Sequence, residues 1–273
     1  MRLRGREIKW GSRTYVMGIV NVTPDSFSGD GVEDPVRAAE HARMQAAGAD
    51  IVDIGAESTR PGHVPVDERT ELARLLPVVR AAREQMPDAV ISVDTYKPQV
   101  LAKAIEAGGD MLNSVWGMPE PLLDEAAALG VPVVIMHNRE NTEYSGSVMD
   151  EVLRFLDEAA NRAVKKGIDP QHVIVDPGIG FGKTPDQNLE VLRELARLKA
   201  LGFPALIGTS RKSTIGKLTG KPPQERVYGT AATTALAIAA GIDIVRVHDV
   251  AAALDVVRVS DAIVRNWRPA QWT

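Results

Sequence analysis

Cysteine is absent from the 273 residues. Disulfides, thiolate-bound zinc and a cysteine nucleophile are therefore excluded. Histidine occurs five times, scattered, with no His-x-x-x-His pair to seat zinc. No apolar run reaches the roughly 18 residues of a membrane-spanning helix. The opening stretch MRLRGREIKW is charged where a signal peptide needs an apolar segment. A cytoplasmic enzyme with no membrane partner is expected. A large excess of one charge is also missing: the net charge is −4, which leaves no footprint for nucleic acid. A local cationic pocket remains compatible with that value. The rest is globular, 44% hydrophobic and 25% charged, and long enough for one large core. A single domain over residues 1–273 is expected.

Eight short apolar runs, mostly rich in Val and Ile, punctuate the chain near 15–20, 51–54, 89–93, 111–112, 131–136, 173–175, 205–207 and 242–247. Such runs are strands buried on both faces. Helical segments separate them. The first has Asp34 as cap, Pro35 in the first turn and Gly48 as stop; the second runs from about Asp67 to Met86, before Pro87. Others begin near Pro98, Pro119, Ser147, Pro185, Ser213, Tyr228 and Ala251. Strict alternation of eight units predicts a closed (β/α)8 TIM barrel, with a doubly wound open sheet as the rival. The segment Leu3–Trp10 reads as a short N-terminal β-ribbon plugging the barrel bottom.

Polar residues at the ends of these runs form a set: Asn21, Asp94, Asn113, Asp176, Lys212, Arg246 and His248. A packed sheet does not need charges there, and a barrel gathers its strand ends around one site. Individual segments are weaker. Asn21-Val-Thr-Pro-Asp-Ser-Phe-Ser28 could be an ordinary turn-rich loop, although Phe27 is apolar with nothing obvious to pack on. Thr59 and Arg60 suit a transient grip on phosphate, but alone they read as solvated. Asp176-Pro-Gly-Ile-Gly-Phe-Gly-Lys-Thr184 invites a nucleotide reading and fails it. A Walker loop needs glycine where Pro177 stands, and a dinucleotide fingerprint needs it where Lys183 stands. The glycines instead let backbone approach a flat ligand while Phe181 packs on it. In Gly208-Thr-Ser-Arg-Lys212-Ser213, amides at a helix start with Lys212 and Ser213 offer an anion site. Arg246 and His248 point the same way along a strand and also suit an anion. His137 reads as structural.

Together, Asn21–Ser28, Asp53–Gly62, Ser92–Thr95, Asn113–Val115, Asp176–Lys183, Gly208–Ser213 and Arg246–Val250 resemble the dihydropteroate synthase family, in its order and over essentially the whole chain. One departure is Ser28-Gly-Asp-Gly31, where the family more often has Ser-Asp-Gly-Gly. The resemblance implies a (β/α)8 barrel. It implies condensation of 6-hydroxymethyl-7,8-dihydropterin diphosphate with 4-aminobenzoate to 7,8-dihydropteroate and diphosphate, with Mg²⁺ required. Sulfonamides are implied as competitive inhibitors, and a homodimer as the assembly.

By motif, the resemblance gives the pterin to Asp94, Asn113, Asp176 and Lys212, with packing from Val115, Met136 and Phe181, Gly208 alongside, and Arg246 stacked on the ring. It gives the diphosphate to Asn21, Thr59, Arg60, Arg246 and His248, with Asn21 on the metal. It gives aminobenzoate to Phe27, Thr59, Pro61, Phe181, Lys212 and Ser213. Asn21, Asp25, Arg60, Asp94, Asp176, Lys212, Arg246 and His248 are the implied catalytic set, under two closing loops at 22–34 and 58–67. A pterin-dependent methyltransferase and a pterin-binding paralogue without synthase activity are the alternatives.

Overall fold

A computed structural model describes residues 1–23, 35–58, 65–269 and 271. The chain opens with an antiparallel ribbon, β1 (Arg2–Leu3) and β2 (Arg6–Glu7). There follow β3 (Tyr15–Asn21), α1 (Pro35–Ala46), β4 (Ile51–Gly55), α2 (Glu68–Gln85), β5 (Val90–Asp94), α3 (Pro98–Glu106), β6 (Met111–Ser114) and α4 (Glu120–Leu129). The second half comprises β7 (Val133–Met136), α5 (Val148–Lys165), β8 (Val173–Asp176), α6 (Pro185–Arg193), β9 (Leu206–Ile207), α7 (Ser213–Thr219), α8 (Val227–Ala239), β10 (Ile244–Val247) and α9 (Val250–Val264).

The eight strands from β3 to β10 pair in parallel in the order β8-β7-β6-β5-β4-β3-β10-β9. A parallel bridge between Val175 and Ala205 joins the two ends, with Val175 N–H donating to Pro204 C=O at 2.9 Å. Chain order runs around the ring without reversing, so the open doubly wound sheet is excluded and the (β/α)8 barrel holds. Strand β7 starts at Val133 rather than Val131 because Pro132 has no N–H for a ladder.

Alternation along each strand sorts the side chains. Tyr15, Met17, Ile51, Val90, Met111, Val134, Ile174, Leu206 and Ile244 face inward and form one buried cluster. Their neighbours, such as Val52, Ile54, Ile91, Leu112, Val133 and Val175, face outward and pack in the clusters that carry the helices. With both faces buried, the runs are apolar throughout, which is why they stand out in the sequence. Ile8, just after β2, packs into the inward cluster and is only 5% exposed. The ribbon therefore plugs the bottom of the barrel.

Above that floor the same inward positions turn polar: Asp53, Ser92, Asp94, Asn113, Asp176 and Arg246. Register sets them side by side. Asp53 pairs with Ser92, and Asp94 lies between Gly55 and Asn113. The polar layer occupies the C-terminal end of the barrel, where sites of this fold are built.

Candidate active site

Asp53, like its register partner Ser92, is fully buried. Its Oδ2 accepts from Arg246 Nε at 2.7 Å and from Asn113 Nδ2 at 3.0 Å. Arg246 Nη2 lies 2.6 Å from the same oxygen and donates to Asp94 Oδ2 at 3.0 Å. One guanidinium thus bridges two carboxylates on adjacent strands. The Oδ1 atoms of both aspartates are buried without a partner among the described residues. Burial, and then the charge of Asp53, push the Asp94 carboxyl up to about 8, against the pull of Arg246. Unpaired buried acceptors are costly in a packed core, at about 1–3 kcal/mol each. They suit a floor made to receive a donor-rich ligand.

Asp176 ends β8 and its Oδ1 accepts from Gly178 N–H at 2.7 Å. Burial raises its pKa, while Lys212, that N–H and Arg246 draw it down. Burial brings Lys212 down to about 8, opposed by Asp176. Its ammonium donates to Ile179 C=O and stands 4.6 Å from the Phe181 ring centroid. Gly208 lies between the two cations: a Cβ there would sit 3.7 Å from Arg246 Cβ and 4.0 Å from Lys212 Nζ. Val115 and Met136 are buried at the ends of their strands. Asn21 ends β3 beside Gly55, on the inward alternation of Tyr15 and Met17, and is partly exposed. His248 follows Arg246 by two residues. Its Nδ1 lies 2.9 Å from Ser210 Oγ, which also accepts the His248 N–H at 3.1 Å.

The structure therefore brings together Asp94, Asn113, Asp176, Phe181, Gly208, Lys212 and Arg246, with Asn21 and His248 at strand ends of the same face. It divides the 208–213 run. Lys212 turns toward Phe181, Ser213 is exposed, and Arg211 is committed to Asp249 through contacts of 3.0 and 2.5 Å. Residues Asp25, Phe27, Thr59, Arg60 and Pro61 lie outside the described residues. So do most of the two loops at 22–34 and 58–67 and the Asp34 cap. His137, read as structural, has a buried partner in Lys183 at 2.9 Å. Three site residues were missed: Asp53, Ser210 and Lys183. Asp53 carried a signal, a carboxylate inside the apolar run Ile51–Gly55 at an inward position. Ser210 and Lys183 carried none that separates them from loop residues.

The model of the pterin binding enzyme family matches residues 17–248. A dihydropteroate synthase of Clostridium beijerinckii is 45% identical over 270 residues, covering 97% of this chain and 100% of its own length. The chain belongs to the dihydropteroate synthase family. The synthase fold is also matched in solved structures. A Xanthomonas albilineans dihydropteroate synthase with 4-aminobenzoic acid superposes with a TM-score of 0.87 at 43% identity, covering 95% of each chain. A Thermus thermophilus dihydropteroate synthase in complex with 6HMPPP gives 0.84 at 41% identity, covering 96% of this chain and 98% of its own. No group of three His, Asp or Glu able to hold a metal occurs among the described residues. No helix among them is long and apolar enough to cross a membrane.

Proposed function

We propose that this protein condenses 6-hydroxymethyl-7,8-dihydropterin diphosphate with 4-aminobenzoate, giving 7,8-dihydropteroate and diphosphate. Family membership supports the reaction. The observation that carries it to these residues is the polar floor, in which the buried carboxylates of Asp53 and Asp94 keep oxygens unpaired among the described residues, Asn113 is bonded to Asp53, and Lys212 feels the charge of Asp176. A pterin presents N–H donors on one edge and a carbonyl with ring nitrogens on another. The donors suit Asp94 and Asp176, the acceptors suit Lys212 and Asn113. Val115, Met136 and Phe181 supply apolar contact, and Arg246 stacks on the ring.

The reaction breaks the bond between the pterin methylene carbon and a diphosphate oxygen, whose electron pair leaves with diphosphate. The aniline lone pair forms the new C–N bond and the nitrogen gives up a proton. Aniline nitrogen is a weak nucleophile, and the pterin ring spreads positive charge at the methylene, so departure precedes attack. Carboxylates around the ring favour that charge, while Arg246 and His248 stabilise the leaving group. The hydrogen bond to Ser210 holds the His248 ring for this task. Phe181, Lys212 and Ser213 line the aminobenzoate slot, which sulfonamides would enter as competitors.

Asn21 fits a magnesium ligand: it places a hard amide oxygen at the inward end of β3, and Mg²⁺ commonly takes few protein ligands plus phosphate and water. Asn21 would hold the ion, which when bound would supply neutralisation of the departing charge. Assembly as a homodimer is part of the proposal. Tyr228 and Leu236 on α8, with Val259 and Ile263 on α9, are 80%, 68%, 62% and 76% exposed, an apolar surface on two adjacent helices. A cytoplasmic location is part of the proposal. The test is mass detection of 7,8-dihydropteroate after incubation with both substrates. Tight pterin binding without product would make the protein the inactive paralogue instead.

A further inference from the structure

Lys183 closes the loop Pro177–Gly182, yet its side chain turns back beneath that loop and is only 7% exposed. Its Nζ lies 2.9 Å from His137 Nδ1 and donates to the carbonyls of Gly178 at 3.0 Å and Phe181 at 3.1 Å. Three acceptors match the three protons of an ammonium. Burial brings Lys183 down to about 7 and His137 down to about 3, so the imidazole is neutral and its Nδ1 accepts.

The loop above is held by side chains rather than by a ladder. Ile179 C=O takes Lys212, Gly182 C=O takes Tyr144 OH at 2.9 Å, and Gly180 N–H donates to Asn188 at 2.7 Å. Gly178, Gly180 and Gly182 have φ of 69°, 81° and 56°. A Cβ on Gly178 would lie 1.9 Å from His137 O, and one on Gly182 2.5 Å from Arg139 O. The loop is thus pressed against the segment after β7, and Lys183 ties its carbonyls from below. Phe181 is carried on this loop with its ring against Lys212. A buried lysine bound to two carbonyls and an imidazole is an expensive way to fill space; methionine would fill it without the desolvation.

We propose that Lys183, held by His137, is a positioning residue for the aminobenzoate slot, fixing the Phe181 backbone and so the face its ring presents beside Lys212. This rests on the synthase reading above. Lys183 also holds the Gly178 carbonyl, so the pterin should be affected too, but less than aminobenzoate, because Asp176 keeps the Gly178 N–H.

The experiment uses the full chain as wild type, Lys183→Met and His137→Phe, each checked for folding by thermal unfolding. Steady-state kinetics give KM for aminobenzoate, and calorimetry gives the Kd of a pterin analogue and of aminobenzoate added with pterin and diphosphate. Lys183→Met is expected to raise the aminobenzoate KM and Kd by about tenfold or more, as small misplacements do. The pterin Kd should move by less than about threefold. His137→Phe keeps an aromatic ring against Phe155 but removes the Nδ1 acceptor, and should give a smaller shift of the same kind. A folded Lys183→Met with unchanged aminobenzoate values overturns the inference, as does an equal loss for both ligands. If Lys183→Met does not fold, His137→Phe decides by the same criteria. Wild type that binds both ligands but makes no product sinks the synthase reading alone, because the binding comparison still decides the role of Lys183.

Discussion

Arg246 Nη2 rests 2.6 Å from Asp53 Oδ2, across 193 positions of sequence and within the polar layer. Asn113 shares that oxygen. Replacing Asp53 with alanine removes the common acceptor and leaves Arg246 bonded to Asp94. Breaking one side of a buried ion pair costs about 3–5 kcal/mol, and the low end is expected because Asp94 stays. Urea unfolding checks this; a loss below about 1 kcal/mol would mean that the floor does not depend on Asp53.

Asp176→Ala should weaken pterin binding strongly. A charged acceptor lost from ring N–H donors costs about 1.5–3 kcal/mol, or roughly 10- to 150-fold in affinity. Calorimetry with a pterin analogue measures it. A change under about twofold would remove Asp176 from the pterin contacts.

Asp94 predicts a proton linked to binding. Its carboxyl is pushed up to about 8 in the free protein, so near neutral pH it holds a proton. Accepting N–H groups from the pterin requires the carboxylate, so binding must release that proton. Apparent affinity therefore rises with pH up to about 8, and above it falls as Lys212, itself brought down to about 8, loses its proton. Calorimetry near pH 7 in buffers of different ionisation enthalpy should show proton release that Asp94→Asn reduces. Equal proton exchange in both proteins would contradict the assignment. The same shift acts on folding: an acid with its pKa raised from the usual value of about 3.9 stabilises fully below that pH. That contribution fades as pH climbs toward about 8.

The barrel was legible because a parallel sheet covered on both faces needs continuous apolar strands, and Gly48 and Pro87 mark the helix ends between them. Asp94, Asn113 and Asp176 were legible because each interrupts an apolar run at its end. Asp53 stands inside its apolar run rather than at the end, which marks it as a buried carboxylate, but its partners Asn113 and Arg246 are remote in sequence. Lys183 read as the end of a glycine-rich loop, since nothing local shows that its side chain folds back to His137. The pairing of Arg211 with Asp249 was equally unmarked, since the two stand 38 residues apart. Spacing along a chain reports strand ends well and pairings across a barrel poorly.

The exposed apolar residues of α8 and α9 predict a dimer by light scattering at micromolar concentration. Leu236→Glu with Ile263→Glu should convert it to monomer, since two unpaired buried charges oppose association. A monomer mass for the wild type would refute the assembly.

The central claim is that this barrel mouth couples loss of diphosphate to formation of a C–N bond. The direct measurement follows diphosphate and 7,8-dihydropteroate together, with both substrates at saturation, with and without Mg²⁺. The account predicts equal amounts of the two products, dependent on Mg²⁺ and on the pterin diphosphate. Saturated enzyme with Mg²⁺ that forms no dihydropteroate would contradict it.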